Sequence, residues 1–289
     1  MSVGWCAPSI SIRRIHNLLH RNCILPDRIS SMNTVRNDLF GKVAFPGSLQ
    51  ELLGIVLSKE ECRARIWRGQ ADLSWPLHST AYRRLSRDGK EVSDAKVCRY
   101  EERLLREATH RGYRLLEGRE LSDLELLARL RHHGAATRLV DATRSVLVAL
   151  WFSVSERMGT TGALIGLHTD YLGGHEGKPE VRRYDEIVSM LASLDYSVTW
   201  EPTAVTPRVA AQHSQFLYSS VSAQRSGSLR TAEKKDALLV LAIEPELKKS
   251  VKLALERAFD IRDLTLFPDV GGFCAANNQE VGQFDVYRW

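Results

Sequence analysis

Three stretches of the chain, far apart in sequence, concentrate side chains that bind anions and flat rings. The first is Trp67-Arg68-Gly69-Gln70, followed by Trp75-Pro76-Leu77 and Tyr82-Arg83. An arginine at a strand end presents a planar five-donor fork that matches phosphate oxygens in pairs. A neighbouring glycine lets an anion approach bare backbone, and the aromatics offer stacking surface. The second stretch, Arg131 to Asp141 (RHHGAATRLVD), runs directly into an apolar segment. Thr137, Arg138 and Asp141 must therefore find partners or line a cleft, because an unpaired buried charge is costly. The third is Pro207-Arg208-Val209-Ala210-Ala211-Gln212, where an arginine and an amide precede a strand-like run at Phe216. Brought together, these groups have the chemistry of a nucleotide or phosphate site. Each arginine can equally serve a structural carboxylate, an Arg68 to Asp141 ion pair being the simplest such arrangement.

Other chemistries find little support. His132 and His133 are adjacent, so on a helix they point about 100° apart and cannot share a metal as an i,i+4 pair does. One of them can reach a cleft at the helix end; the other reading is a histidine favoured by the helix dipole. There is no H-E-x-x-H and no G-x-S-x-G, and the 5 cysteines include no C-x-x-C. No metal is expected, and the cysteine usage suits a reducing cytoplasm. Gly173 to Lys178 (GGHEGK) is not a phosphate loop, because Pro179 follows where Ser or Thr is required. Gly162 to Gly166 lies within a strand-like run and lacks the dinucleotide-binding spacing.

The positioning elements are legible from periodicity. Ser48 with Glu51, and Ser122 with Glu125, have capping-box spacing and open helices. Arg63 to Arg68 alternates and reads as a strand ending at Gly69. A polar helix is expected from about Ser93 to Leu116, and a second runs from Ser122 until Gly134 stops it. Thr143 to Val154 is apolar nearly all round, which predicts a buried helix. Gly162 to His168, Phe216 to Val221 and Ala237 to Ile243 read as strands. Glu246 to Phe259 reads as a helix, followed by turn residues around Phe267-Pro268-Asp269 and Gly271-Gly272. No internal repeat is evident, so the expectation is a single α+β (mixed α/β) domain with a small central sheet flanked by helices.

With 289 residues, 44% apolar and 26% charged, the composition is that of a globular domain. Even the longest apolar stretches, such as Val146 to Phe152, are far short of the about 18 residues a membrane span needs. The 40 Lys+Arg and 35 Asp+Glu give +5, unevenly placed. Residues 1–31 carry four arginines against Asp27, leaving 36 − 34 = +2 for the rest, which does not by itself argue for a nucleic-acid partner. That tail lacks a secretory h-region and reads as poorly ordered, a start placed too early, or a transit peptide.

The motifs, taken in order, resemble the FRG-domain family, named for a Phe-Arg-Gly motif whose place is held here by Trp67-Arg68-Gly69. The resemblance runs from about residue 40 to 275, and a domain over 40–289 is expected. It rests on WRGQ, WPL, Tyr100-Glu101, HHGAATRLVDAT ahead of VLVALWFSV, PRVAAQ and TLFPDVGG. Trp67, Arg131, Ala142 and Ser214 depart from the family's usual Phe, Gln, Trp and Gly. The resemblance implies a bacterial or phage protein, in some cases a toxin or defence component, with a motif order similar to that of ADP-ribosyltransferase-like folds. An arginine on the first core strand of such folds grips NAD, a role that falls here to Arg68. The implied reaction is departure of nicotinamide, with transfer to a nucleic acid or protein, or hydrolysis. Expected catalytic residues are Arg68, Asp141 and Gln212. Expected NAD-binding residues are Trp67, Arg68, Gln70, Tyr82, His133, Thr137, Arg138 and Arg208, with Trp75 as a further stacking candidate. Glu244-Pro245-Glu246 has the E-x-E form of a catalytic glutamate, although acidic residues at a helix start have dipole reasons to be there. The alternative is a non-catalytic nucleotide or nucleic-acid binding module using the same cleft. An antitoxin is a conceivable partner, and a membrane is not.

Overall fold

A computed structural model describes residues 33–278 apart from 59–62, 88, 90, 175, 176, 178, 204, 205 and 235. The expected N-terminal tail lies outside the described residues. The elements run β1 (Thr34–Asn37), β2 (Gly41–Ala44), α1 (Leu49–Val56), β3 (Ala64–Gln70), α2 (Thr80–Leu85), α3 (Asp94–His110), β4 (Leu115–Leu116), β5 (Arg119–Glu120), α4 (Asp123–His132), β6 (Val140–Thr143) and α5 (Val146–Val154). They continue with β7 (Gly162–His168), β8 (Gly173–Gly174), α6 (Tyr184–Ala192), β9 (Val198–Trp200), α7 (Pro207–Ala211), β10 (Ser214–Tyr218), β11 (Leu238–Ile243), α8 (Pro245–Phe259), α9 (Asp263–Leu266) and α10 (Val270–Ala276).

Nine strands form one mixed sheet in the order β1-β2-β11-β7-β3-β6-β10-β9-β8, and β4-β5 is a separate hairpin. The α+β class is as expected, but the sheet is larger, because its outer strands are too short to show a period-2 pattern. β3 pairs along its whole length with β7, from Ala64 opposite His168 to Gln70 opposite Ala163. On its other side it touches β6 at one position only, Trp67 opposite Thr143. The β7-β3 and β6-β10 portions of the sheet are thus two half-sheets joined by a single bridge, and their pairing does not continue on either side of it.

Alternation along β3 sends Ile66 and Trp67 into different cores. Trp67 joins Leu52, Val148, Leu164 and Val251, which pack α1, α5 and α8 on one half-sheet. A second cluster, with Leu105, Leu127, Ile187 and Phe216, packs α3, α4 and α6 against β9 and β10. The cleft described below opens where these two helical layers part.

Local chemistry sets the boundaries. Ser122 and Glu125 form the reciprocal capping box at the start of α4. At α1 the box is half made: Ser48 accepts from the Glu51 N–H, while Glu51 accepts from Gly47. The helix expected to reach Leu116 stops at His110, because Gly112 and the Glu117-Gly118 pair adopt positive φ and fold the β4-β5 hairpin. Thr143 ends a strand, and α5 begins at Val146 under a Ser145 cap. Among the described residues, no helix is long and apolar enough to cross a membrane.

Candidate functional site

The three stretches meet at one cleft of about 290 Å³. β3 brings Trp67, Arg68 and Gly69; the end of α4 and strand β6 bring Arg131, His132, Asp141 and Thr143; and α7 and β10 bring Arg208, Gln212, Gln215 and Phe216. Phe152 of α5 and Phe267, after α9, complete an aromatic wall.

Each charged group is held by specific bonds. Arg68 spans the split between the half-sheets: its Nη1 donates to the Asp141 carbonyl at 2.6 Å and its Nε to Gln70 Oε1 at 3.2 Å. Its Nη2 makes no hydrogen bond among the described residues, which leaves a donor for an anion. Desolvation lowers the Arg68 pKa from its ordinary value to about 10; Asp141 opposes the shift and Arg131 and Arg83 add to it. The group remains a cation at neutral pH. The Asp141 carboxylate is not paired with Arg68; it accepts from Arg131 Nη2 at 2.5 Å. Arg208 makes a two-pronged pair with Asp269, through Nε to Oδ2 and through Nη2 to Oδ1 at 2.7 Å, and lies over the Phe267 ring at 5.1 Å. That pair, supported by backbone N–H groups at the start of α10, holds the Asp269 carboxyl down to about 2. Gln212 Nε2 donates to the Leu266 carbonyl at 3.0 Å, fixing α9 at the cleft's edge.

Several expected site residues lie elsewhere. Arg138 is buried beneath the other helical layer, where its Nε donates to Glu101 Oε2 at 2.6 Å and its Nη2 to the Tyr184 hydroxyl at 2.8 Å. It serves a structural carboxylate because Glu101, on the buried stripe of α3, needs a cation. Thr137 is buried at a backbone junction: its N–H donates to Thr80 Oγ1 and its carbonyl accepts from the Ala81 N–H, docking α2. Tyr82 stacks on His78 at 4.4 Å and does not line the cleft. Gln70 supports Arg68 from behind, its Nε2 committed to the Trp75 carbonyl at 2.7 Å. Trp75 lies under Arg157. His133 is the exposed C-cap of α4, and its neighbour His132 lines the cleft instead. Glu244 and Glu246 sit at the start of α8 and are not among the lining residues.

Gly69 also has a different reason from the one its sequence suggests. A Cβ there would overlap the Ala149 carbonyl oxygen and crowd the Ser153 N–H, so the glycine lets α5 press its backbone onto β3. The strand accordingly continues through it to Gln70. Gly69→Ala is expected to lower stability by about 2 kcal/mol, an overpacking cost against backbone that cannot rotate away. Urea denaturation checks it; a loss under about 0.5 kcal/mol would show that α5 can shift freely.

An α+β protein with a split sheet and an arginine-bearing, aromatic-walled cleft at the split is the class these features define. Residues 63–161 match the family model of the FRG domain, and the chain carries an FRG domain there. The matched segment holds Arg68, Arg131 and Asp141, whereas Arg208 and Gln212 lie beyond it. No curated protein and no solved structure matches the chain.

Proposed function

We propose that the cleft binds NAD through its pyrophosphate and that the protein is an ADP-ribosyltransferase-like or NAD-glycohydrolase-like enzyme. The observation that carries this is the presence of Arg68, Arg131 and Arg208 on one cleft with Trp67, Phe152 and Phe267. Guanidinium forks suit paired phosphate oxygens, and aromatic walls suit a base or a pyridine ring. At about 290 Å³ the cleft is at the low end of the range for ligand sites, about 300–1,000 Å³. It suits one ring with its adjoining phosphates, with the rest of a dinucleotide outside. Asp141 is the lining carboxylate for the positive charge that develops at the ribose as nicotinamide leaves. Gln212, its amide nitrogen committed to Leu266, offers its carbonyl oxygen.

A second reading, a non-catalytic nucleotide or nucleic-acid binding module, is favoured by one feature: Asp141 is already engaged by Arg131, with Glu244 and Glu246 outside the lining. A cytoplasmic toxin or phage-defence role, a nucleic-acid or protein acceptor and an antitoxin partner belong to the enzymatic reading through the family resemblance. The test of that role is expression in cells: growth arrest that Arg68→Ala relieves without unfolding the protein is the expected result.

The test is incubation with NAD, with and without cell extract, following released nicotinamide and NAD affinity by calorimetry. Wild type is expected to release nicotinamide. Arg68→Ala should weaken NAD binding about thirtyfold, the worth of one charged hydrogen bond of about 2 kcal/mol. Binding without release leaves the second reading standing, and absence of NAD binding removes the enzymatic one.

A further inference from the structure

His132 carries a feature that neither the fold nor the arginines explain. It lies on the buried side of α4, edge-on to Phe216 with ring centroids 5.7 Å apart, and Phe216 stacks in turn on Trp200. The imidazole is fixed against that stack at the wall of the cleft. Its Nε2 is nevertheless buried with no hydrogen-bond partner among the described residues. Buried polar atoms are rarely left so, since each unmade bond costs about 1–3 kcal/mol. The surrounding charges are occupied with one another: Arg131 with Asp141, Arg208 with Asp269, and Arg68 with the Asp141 carbonyl. Arg131 Nε and Gln215 Oε1, also on the lining, lack partners too, but those side chains are each held by another bond, to Asp141 and to Thr199, whereas no hydrogen bond among the described residues engages the His132 ring, and its Nε2 is left to the ligand.

We propose that His132 is a substrate-positioning residue whose Nε2 hydrogen-bonds an uncharged polar group, a sugar hydroxyl or a carboxamide, on the nucleotide held in the cleft. The proposal rests on the nucleotide reading above and deepens it by separating the recognition of phosphate from that of the rest of the ligand. A guanidinium answers charge; an imidazole on an apolar stack adds one directional bond. Burial lowers the His132 pKa, with Arg131, Arg208 and His133 reinforcing the shift and Asp141 opposing it, so the ring is neutral at pH 7. A neutral ring gains little from a phosphate and is suited to a hydroxyl or amide.

The experiment compares binding of two probes, inorganic pyrophosphate and ADP-ribose, to wild type, His132→Phe and His132→Gln, with thermal unfolding of each variant as a fold control. Phenylalanine keeps the contact with Phe216 and removes the nitrogen; glutamine restores a hydrogen-bonding group. His132→Phe is expected to weaken ADP-ribose at least tenfold while leaving pyrophosphate within twofold, and His132→Gln to recover most of the loss. Equal weakening of both probes, or an ADP-ribose affinity indifferent to His132→Phe, overturns the role of His132 and leaves the nucleotide site intact. Wild type that binds neither probe overturns the nucleotide reading, and this proposal with it.

Discussion

Glu101→Ala is expected to lower the stability of the fold by about 3–5 kcal/mol, the cost of stranding one member of a buried ion pair. Glu101 is fully buried and Arg138 is 3% exposed. The carboxylate accepts from the Arg138 backbone N–H at 2.5 Å, from Arg138 Nε at 2.6 Å and from the Tyr184 hydroxyl at 2.5 Å. One side chain therefore ties α3 to the entry of β6 and to the start of α6. Removing it leaves the guanidinium with Tyr184, Cys98 and the more distant Asp94, which is 3.6 Å from Nη1. A buried charge remains, with only that more distant and partly exposed carboxylate to compensate it. Because the penalty comes from the orphan and not from the lost attraction, a double variant, Glu101→Leu with Arg138→Met, should lose less than Glu101→Ala alone. Urea unfolding of both proteins checks this. A loss below about 1 kcal/mol for Glu101→Ala would show that water reaches the network.

The same pair marks where the sequence was hard to interpret. The polar helix α3 reads as a solvated face because its charges are many, yet Val97, Cys98, Glu101, Leu105 and Ala108 form its buried stripe. A carboxylate at the centre of an apolar stripe is the signal that a buried cation faces it, and that helical spacing singles out Glu101 by pattern alone. Periodicity likewise separates the two histidines. Leu124 and Ala128 are buried on α4, and His132 follows each at helical spacing, eight and four residues on, whereas His133 continues the outer face of Arg129. Which arginine of RHHGAATRLVD enters the cleft was not legible. Arg138, Leu139 and Val140 are all buried, so the alternation that would sort cleft from core is absent there. Gly69 was ambiguous for another reason: a close approach by a helix and a close approach by a ligand require the same missing Cβ. The Ser122–Glu125 capping box, the all-apolar α5 and strands β7 and β11 were legible because each depends on local pattern alone.

Asp141→Asn separates the two readings of the cleft, because charge and shape act there in opposite directions. The side chain sits at the cleft wall, 45% exposed, so its ion pair with Arg131 contributes at most about 1 kcal/mol and the substitution should leave stability nearly unchanged. The backbone carbonyl that receives Arg68 is retained. Asparagine frees Arg131 for a phosphate oxygen, so NAD affinity should hold or rise. In the enzymatic reading, the carboxylate stabilises positive charge at the ribose as the glycosidic bond breaks, and its loss should lower kcat about 10²–10³-fold, the usual effect of deleting one preorganised charge-stabilising group. Tighter binding with slower turnover is the signature of a group that acts in the transition state and not on the ground-state complex. Single-turnover release of nicotinamide, set beside calorimetric affinity, measures both. A kcat unchanged by Asp141→Asn removes Asp141 from the chemistry and leaves it as Arg131's counter-ion. A rise in affinity in a protein that turns over no NAD identifies the cleft as a binding module whose carboxylate tempers how tightly it holds an anion.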